Sequence, residues 1–505
     1  MASSIKSIVD YGGGEGVLIE VESHITKGLP SVTIIGYASK AVNEAKDRLR
    51  ASFANSDLPF PKKRITINLS PADIPKDATS LDLAMAVAVL SSDGQIKRPG
   101  SDCAFLGELS LDGSLNSVRG AVGRILAGKK MGVKTFVVPA TNLDQALLVP
   151  GIVIKPAAGL RDVFLDLAET LALKTVQTGK GKLVKKLKPK VSIDFSEISG
   201  QVIAKRALEI AAAGHHNILL HGPPGTGKTM LARAMCGILP DLDHSEVLEV
   251  THLHSLGSAS SEDIVSQRPF RSPHHTASTV AIIGGGSKPK PGEASLAHRG
   301  VLFLDELPEF NHQCLESLRQ PLEDGYVTIA RAKESATYPA DFILVATANP
   351  CPCGYFNTTK PCSCSAAAIA KYQRRVSGPI SDRIDLHLPV HGVEHRKLLE
   401  KRSGPSETAA IKPRVERAYA FQRQRFGAAR FNNSMTNKEV RELANLSPPA
   451  KALLDNAAEK LNISARSYVR SVKVARTIAD LGGEPSIEPG HISEALQYRQ
   501  PAQSF

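Results

Sequence analysis

The stretch Gly222-Pro-Pro-Gly-Thr-Gly-Lys-Thr229 decides how this 505-residue chain is interpreted. It follows Asn217-Ile-Leu-Leu-His221, a short apolar run typical of a β-strand, and it precedes residues 230–236, which are good helix formers. A strand, a glycine-rich loop and a helix in this order are the context that a Walker A phosphate-binding motif requires. The alternative is a glycine-rich turn with an incidental lysine, and the complete set of motif residues argues against it.

The residue types in this loop suit triphosphate binding. Gly225 and Gly227 allow backbone N–H groups to converge on phosphates, to which the helix N-terminus adds its partial positive charge. Lys228 is predicted to bridge the β- and γ-phosphates of ATP, and the Thr229 hydroxyl to bind Mg²⁺. The predicted nucleotide-binding residues of the loop are Gly222, Pro223, Pro224, Gly225, Thr226, Gly227, Lys228 and Thr229.

Two further apolar runs end in polar residues that suit a catalytic site. Val301-Leu-Phe-Leu-Asp-Glu306 is predicted to be a buried strand with two carboxylates at its C-terminal end, where α/β sheets place ligands. Asp305 would complete the Mg²⁺ shell, and Glu306 would polarise the attacking water as a general base. Phe342-Ile-Leu-Val-Ala-Thr-Ala-Asn349 places Asn349 at a strand end, where it would orient the water or sense the γ-phosphate. A strand-end cap is the alternative.

The overall composition is that of an ordinary globular protein. Apolar residues make up 42% and charged residues 22%, which excludes a disordered, collagen-like or coiled-coil chain. The longest apolar run, residues 83–90, is far shorter than the ~20 residues that cross a bilayer. The N-terminus has no signal-peptide pattern. We therefore expect a soluble, cytoplasmic protein with no membrane partner.

The charge distribution divides the chain into regions. The whole chain has a net charge of +12. Residues 174–190 alone contain seven lysines and no acidic residue. Such a run predicts a solvated linker or, as a second choice, a nucleic-acid contact. A compact α+β domain is expected over residues 1–173, an α/β core over 191–393 and a largely helical region over 394–505.

Local patterns within residues 1–173 predict individual elements. Polar and apolar residues alternate over 64–69, which indicates a strand, and residues 135–139 form a second strand that ends at proline. The alanine-rich run over 81–90 indicates a buried helix. No internal repeat is visible.

Four of the seven cysteines lie within fourteen residues of one another, directly after Asn349 and Pro350. They are Cys351, Cys353, Cys362 and Cys364, which form two Cys-x-Cys pairs. Four thiolates satisfy tetrahedral Zn²⁺, so we predict a structural zinc knuckle inserted in the core at residues 351–364. Four reduced thiols and an iron–sulfur cluster are the alternatives. The other three cysteines are scattered, which argues against a disulfide framework.

Longer motifs in the chain resemble a known family. These motifs are Phe270-Arg-Ser-Pro-His-His-Thr276, Pro291-Gly-Glu-Ala-Ser-Leu-Ala-His298, Val301-Leu-Phe-Leu-Asp-Glu-Leu-Pro-Glu-Phe310 and Ala475-Arg-Thr-Ile-Ala-Asp-Leu481. They are similar to stretches of the bacterial ComM/YifB proteins, which are magnesium-chelatase-like AAA+ ATPases. The resemblance covers essentially the whole chain and implies an α/β multidomain fold. It implies an N-terminal Lon-protease-like domain (ribosomal S5 domain 2-like), an AAA+ P-loop NTPase core and a C-terminal helical lid.

The resemblance also implies how the chain assembles. It implies a ring, expected to be a hexamer, with ATP bound between subunits. Gly378-Pro-Ile-Ser-Asp-Arg-Ile-Asp385 matches the clade's pattern for a trans-acting arginine, which makes Arg383 the predicted arginine finger. The lid's sensor arginine maps onto Arg466. Both would stabilise negative charge on the transferring phosphoryl group, and a surface salt bridge is the alternative for each.

For the ComM branch, the resemblance implies an ATP-driven helicase that moves DNA branch points during natural transformation. Branched or single-stranded DNA is then the expected partner. A chelatase-type ATPase that remodels a protein partner is the alternative. The N-terminal domain and the cysteine cluster favour the ComM branch, because the chelatase subunit normally lacks both.

The Lon-like region has a serine at the nucleophile position but no matching base. The run Pro75-Lys-Asp-Ala-Thr-Ser-Leu81 resembles the stretch around the Lon nucleophile, with Ser80 in its place. The lysine that should accept the serine proton is replaced by Val122. Arg124 stays protonated, and Lys129 lies about two helical turns away. We therefore predict a non-catalytic scaffold, with an ATP-dependent protease as the third and weakest alternative.

The C-terminal region mixes cationic and aromatic side chains. They are Arg414, Arg417, Tyr419, Phe421, Arg423, Arg425, Phe426 and Arg430. Such a mixture suits phosphate contact and base stacking on DNA. Helix-surface charge beside core aromatic residues accounts for the pattern equally well.

Overall fold

The computed structural model describes residues 3–11, 15–36, 41–72, 79–178, 193–257, 264–286, 289–330, 335–358, 360–376, 380–392 and 405–499. The fold is mixed α/β with several domains, as the sequence predicts. Most of the predicted linker, residues 179–190, lies outside the described residues, so its role stays a prediction.

The N-terminal region is built on an eight-stranded sheet with five helices. Its strands are β1 (Ser3–Tyr11), β2 (Glu15–Thr26), β3 (Ser31–Ile35), β4 (Arg64–Ser70), β5 (Cys103–Phe105), β8 (Thr135–Pro139), β9 (Val153–Ala157) and β10 (Val176–Gln177), in the order β10-β9-β8-β5-β1-β2-β4-β3. A separate hairpin pairs β6 (Glu108–Leu109) with β7 (Leu115–Asn116). The helices are α1 (Ala41–Asn55), α2 (Asp82–Ser92), α3 (Ala121–Lys130), α4 (Leu143–Leu147) and α5 (Leu160–Leu167).

Helices cover both faces of this sheet because its strands alternate apolar residues on the two sides. On β1, Val9 packs in one apolar cluster with α2, and its neighbour Ile8 packs in a second cluster with Val122 and Ile125 of α3. Residues 82–90 of α2 are all buried. The predicted buried helix and the two predicted strands of this region, now β4 and β8, are confirmed.

The central region contains five parallel strands in the order β12-β15-β18-β11-β19. They are β11 (Ile218–His221), β12 (Phe270–Arg271), β15 (Val301–Leu304), β18 (Ile343–Ala348) and β19 (Leu386–Pro389). Two hairpins interrupt the alternation of strands and helices, and they pair β13 (Gly284–Gly285) with β14 (Lys290–Pro291) and β16 (Tyr326–Ala330) with β17 (Ser335–Pro339). The helices are α6 (Val202–Gly214), α7 (Lys228–Met235), α8 (His244–Gly257), α9 (Thr279–Ile283), α10 (Glu293–Leu296), α11 (His312–Ser317), α12 (Arg319–Asp324) and α13 (Ala366–Val376).

The central strands are buried on both faces, which explains their continuous apolar runs. Leu219 and Leu302 face one apolar cluster, and Leu220 and Phe303 face the other. Because all five strands are parallel, their carboxyl ends lie along one edge of the sheet, where α/β folds bind ligands.

The C-terminal region is helical. Its helices are α14 (Glu407–Phe426), α15 (Asn437–Leu443), α16 (Pro448–Lys460), α17 (Ala465–Gly482) and α18 (Pro489–Gln497). It shares an apolar cluster with α6, in which Val415 and Val472 pack with Leu208. Polar contacts add to this packing, since His216 Nε2 lies 2.8 Å from the Thr477 hydroxyl. None of the helices in the described ranges is long and apolar enough to span a bilayer.

The N-terminal region packs directly on the central region through α3 and α8. Val247 of α8 is buried in the same cluster as Val122 and Ile125 of α3. Gly123 makes room for α8, because a Cβ at this position would lie 2.1 Å from His252 Cε1. The predicted scaffold therefore rests on the helix that follows α7 in the chain.

Candidate nucleotide site and cysteine cluster

The glycine-rich loop connects the end of β11 to the start of α7. Gly225 and Gly227 have φ values of +79° and +86°, a left-handed conformation that glycine adopts at little cost. A Cβ at either position would meet no atom within 4 Å, so both glycines border open space. The loop therefore presents its backbone to an open cradle at the N-terminus of α7, which suits an anion.

The Lys228 ammonium group closes this loop. Its Nζ donates hydrogen bonds to the carbonyl oxygens of Gly222 at 2.7 Å and Pro223 at 2.8 Å, and to Asn349 Oδ1 at 3.2 Å. Burial lowers the pKa of Lys228, while the nearby carboxylates of Asp305 and Glu306 act to raise it. A partly buried cation held by neutral carbonyls suits exchange of those partners for phosphate oxygens.

A hydroxyl and a carboxylate meet beside this lysine. Thr229 lies at the start of α7, and Asp305 lies just past the end of β15. Thr229 Oγ1 is 3.2 Å from Asp305 Oδ2. The other Asp305 oxygen accepts a 2.6 Å hydrogen bond from the Thr347 hydroxyl of β18. Hydroxyl and carboxylate oxygens are the hard ligands that Mg²⁺ prefers, so this pair fits the ion.

Thr347 is a residue of the site that sequence reasoning missed. It is fully buried, and its Oγ1 also accepts the backbone N–H of Glu306 at 2.8 Å. The one signal in the sequence is a hydroxyl within an otherwise apolar strand. Thr347 fixes both carboxylate residues, Asp305 through its side chain and Glu306 through its backbone.

Glu306 and Asn349 complete the cluster. Glu306 has a φ of +57°, which is uncommon for a residue with a side chain and is often found at functional sites. Asn349 Nδ2 donates to Glu306 Oε1 at 3.4 Å. The structure thus brings together Lys228, Thr229, Asp305, Glu306 and Asn349, and their catalytic roles stay predictions.

The two predicted arginines lie at a different place in the same chain. Arg383 Nη2 and Arg466 Nη2 both contact Glu323 Oε1, at 2.6 and 2.7 Å. They line a cavity of about 1050 Å³ whose described lining includes none of residues 222–229. Within the chain, the fold therefore groups these arginines with each other and away from Lys228.

Arg470 holds the segment that carries Arg383. Its guanidinium donates to the carbonyl oxygens of Asp382 and of Ile384, at 2.8 Å for Ile384, and its Nε lies 3.2 Å from Asp385 Oδ1. The lid helix α17 therefore fixes the backbone on both sides of Arg383 while it presents Arg466 nearby.

The four clustered cysteines lie together in space. Their sulfur atoms all fall within 4.8 Å of one another, and the Sγ of Cys351 lies 3.3 Å from that of Cys353 and 3.7 Å from that of Cys362. Zinc–sulfur bonds of about 2.3 Å place tetrahedral sulfurs about 3.8 Å apart, so the donor set fits one such ion.

Ser80 of the N-terminal region has an arginine among its hydrogen-bond partners in the described residues. Arg124 Nη1 donates to Ser80 Oγ at 2.8 Å and also to the carbonyl of Ile8 at 3.0 Å. Val122 is buried in the apolar core, and Lys129 Nζ donates to the carbonyl of Pro150. A permanently protonated guanidinium cannot accept the serine proton, and the non-catalytic role of this region stays a prediction.

Several cationic residues of the lid have acidic partners within the chain. Arg414 pairs with Glu209 at 2.6 Å, Arg425 with Asp480 at 2.5 Å, and Arg430 with Glu439 at 2.8 Å. These contacts favour the structural interpretation of those three arginines over DNA contact. Arg417 and Phe421 are exposed, and their role as DNA contacts stays a prediction.

Comparisons with known proteins point to one family along most of the chain. Residues 194–398 match the family described as magnesium chelatase, subunit ChlI, residues 21–142 match subunit ChlI of Mg-chelatase, and residues 405–499 match its C-terminal part. The chain is 40% identical over 491 residues to the competence protein ComM of Haemophilus influenzae, covering 96% of this chain and 95% of that one. It is 41% identical over 486 residues to the uncharacterized protein YifB of Escherichia coli, covering 95% and 94%. It is 29% identical over 162 residues to the magnesium-chelatase 67 kDa subunit of Chlorobaculum tepidum, covering 31% and 23%.

Proposed function

The chain belongs to the ComM/YifB family of magnesium-chelatase-like AAA+ ATPases, and we propose that it is a ring-shaped motor that moves DNA branch points. The family itself implies ATP as substrate and Mg²⁺ as cofactor. One observation carries the ATPase part of the proposal. At the carboxyl edge of the sheet, one connected hydrogen-bonded set joins Lys228, Thr229, Asp305, Glu306 and Asn349, with Thr347 as the link between Asp305 and Glu306.

The residues of this set divide the tasks of the proposed hydrolysis among them. The loop amides and Lys228 hold the phosphates, because Lys228 Nζ can exchange its carbonyl partners for phosphate oxygens. Thr229 and Asp305 would hold Mg²⁺, which when bound neutralises charge on the phosphate oxygens. Glu306 accepts a proton from the attacking water, and Asn349 orients Glu306 through its amide.

The two arginines are proposed to serve the neighbouring subunit. Arg383 and Arg466 both contact Glu323, and Arg470 holds the backbone next to Arg383. The two arginines therefore form a preorganised cationic site on one chain. A triphosphate presented by a neighbour would replace Glu323 as their anionic partner. This arrangement requires a closed ring, and we propose a hexamer.

Replacing Arg383 with alanine is expected to lower ATP turnover by about 1000-fold, which is the lower range for removal of an arginine finger. The purified variant should regain part of its turnover when mixed with a Lys228→Ala chain, because that chain lacks phosphate binding but keeps Arg383. Phosphate release by each chain alone and by the mixture measures this. Arg441→Ala, at an exposed lid position, is the control. Full turnover by Arg383→Ala alone would exclude the proposed role.

DNA is the proposed substrate along which the ATPase moves. Support comes from the 40% identity to a competence protein over almost the full chain and from the net charge of +12. Arg417, Phe421 and Arg423 are exposed on the lid and are the side chains proposed to contact phosphates and bases. The N-terminal scaffold, seated on α8, is a second surface for DNA or protein.

ATP hydrolysis should rise when a four-way DNA junction is added, and the junction should be resolved into duplexes. The experiment compares the junction with linear duplex of the same sequence and with Glu306→Gln as the inactive control. Stimulation by the junction supports the branch-migration proposal. No stimulation and no unwinding by an active ATPase would contradict it while leaving the ATPase proposal intact.

The alternative function is chelatase-type remodelling of a protein partner. The matches to chelatase subunit ChlI and the short similarity to a magnesium-chelatase subunit favour it. It predicts stimulation of hydrolysis by a protein rather than by DNA. The cysteine cluster is proposed to hold structural zinc under either function, because its four sulfur atoms match a tetrahedral site.

A further inference from the structure

The cysteine cluster packs against the loop that is proposed to bind phosphate. A Cβ on Gly354 would lie 2.7 Å from Cδ and 3.0 Å from Cγ of Pro224. Gly354 itself is buried, whereas Pro224 is exposed at the tip of the glycine-rich loop. The cysteine cluster therefore packs against the glycine-rich loop at Pro224. This close contact is possible only because residue 354 is a glycine.

The position of Gly354 is set by its cysteine neighbours. Its backbone N–H donates to the Cys351 carbonyl at 2.9 Å, which closes a tight turn that contains Cys353. The φ of Gly354 is +84°, so the turn depends on glycine. A metal held by Cys351 and Cys353 would fix the first and third residues of this turn and hold Gly354, its last residue, against Pro224.

A second connection runs through the backbone to Lys228. Asn349, whose Oδ1 accepts from Lys228, is two residues before Cys351. Between them, the Pro350 carbonyl accepts from Gln373 Nε2 at 3.3 Å. Cys351 is therefore joined to Asn349 through this one anchored residue and to Gly354 through the turn.

We propose that metal bound by the four cysteines controls nucleotide affinity, because the cluster buttresses the phosphate-binding loop at Pro224 and positions Asn349. The cluster has little apolar core of its own, since Pro352, Lys360 and Pro361 are exposed. Its shape therefore depends on the ion, as in other small metal-held loops. The inference rests on the proposed nucleotide site, and it adds that metal binding at the cysteine cluster regulates the affinity of that site for nucleotide.

Such coupling must act in both directions. If the ion raises nucleotide affinity about tenfold, bound nucleotide must raise the affinity of the cluster for the ion by the same factor. A purely structural knuckle without the Pro224 contact would show neither effect. This reciprocity gives the inference a readout that does not depend on hydrolysis.

The test uses the full chain, Zn²⁺ as the metal probe and a fluorescent ADP analogue in excess Mg²⁺. The purified protein is expected to contain about one zinc per chain. A zinc-selective chelator should weaken analogue binding about tenfold, and one equivalent of Zn²⁺ should restore it. Nucleotide should in turn slow the release of zinc to a competing chelator.

Two variants separate the contact from general loss of structure. Gly354→Ala keeps all four thiols and should keep zinc, but it should bind the analogue at least about fivefold more weakly. Gly132→Ala is the matched control, since Gly132 has a φ of +87° and no atom within 4 Å of its Cβ position. Cys362→Ser should lose both zinc and affinity, and Cys103→Ser should lose neither.

The inference is overturned if the chain holds no zinc, if zinc removal leaves analogue affinity unchanged, or if zinc-loaded Gly354→Ala binds as well as Gly132→Ala. Failure of the zinc-loaded wild-type chain to bind any nucleotide would overturn the proposed function as well. Zinc-independent nucleotide binding would overturn this inference alone.

Discussion

Replacing Lys228 with alanine should abolish nucleotide binding and lower ATP hydrolysis by at least about 100-fold. Lys228 Nζ is the cation within the glycine-rich loop, and it also contacts Asn349 Oδ1 at 3.2 Å. Its loss removes the charge that would bind the phosphates and frees the Asn349 amide. Binding of a fluorescent nucleotide and release of phosphate, both with Mg²⁺, measure the effect.

Lys97→Ala is the control for this variant. Lys97 is an exposed lysine of the N-terminal region that pairs with Glu169 at 2.7 Å, so its loss should change neither binding nor turnover. A Lys228→Ala chain that still hydrolysed ATP within a few-fold of wild type would show that the reaction occurs elsewhere.

Replacing Glu306 with glutamine should separate binding from hydrolysis. Glutamine keeps an oxygen that can accept from Asn349 Nδ2, but it cannot accept a proton from the attacking water. We expect turnover to fall about 100-fold to 10,000-fold with nucleotide affinity nearly unchanged, as for loss of a general base. Single-turnover hydrolysis and equilibrium binding of ATP to the same preparation measure the two quantities.

The matched control is Glu309→Gln. Glu309 is an exposed carboxylate three residues further along the chain, so it shares the local sequence without sharing the site. Its replacement should leave turnover unchanged. Equal losses for Glu306→Gln and Glu309→Gln would point to a general charge effect, and unchanged turnover for Glu306→Gln would exclude it as the base.

Local sequence is enough to predict the glycine-rich loop and the strand β11 that precedes it. It also predicts the later strands β15 and β18. Glycine at φ values near +80°, an apolar strand before it and helix formers after it are all adjacent in the chain. The sheet then brings Asp305 and Asn349 to the same edge, since parallel strands place their carboxyl ends together. Local pattern and simple topology therefore sufficed for this part of the site.

Contacts between residues distant in sequence could not be predicted in the same way. Thr347 lies in an apolar strand, and only the fold shows that it holds Asp305 and Glu306. The packing of Gly354 on Pro224 joins two loops separated by more than a hundred residues. Neither sequence pattern carries a signal of its partner.

The cationic residues of the lid illustrate the same limit. The sequence predicts that Arg425, which lies beside aromatic residues, contacts DNA. In the folded chain it pairs with Asp480 of α17 instead. The resemblance assigns Arg383 and Arg466 from separate motifs, and their shared contact with Glu323 joins residues that lie 60 and 143 positions apart in the sequence. Burial and ion pairing depend on tertiary structure that charge patterning does not specify.

The central claim is that the group around Lys228, Asp305 and Glu306 binds and cleaves a nucleoside triphosphate with Mg²⁺. The most direct measurement is phosphate release by the purified wild-type chain supplied with ATP, with and without Mg²⁺, alongside equilibrium nucleotide binding. The proposal predicts bound nucleotide and Mg²⁺-dependent release that is absent from Lys228→Ala. A folded wild-type chain that neither binds nor cleaves ATP across a range of protein concentrations, with or without junction DNA, would contradict it.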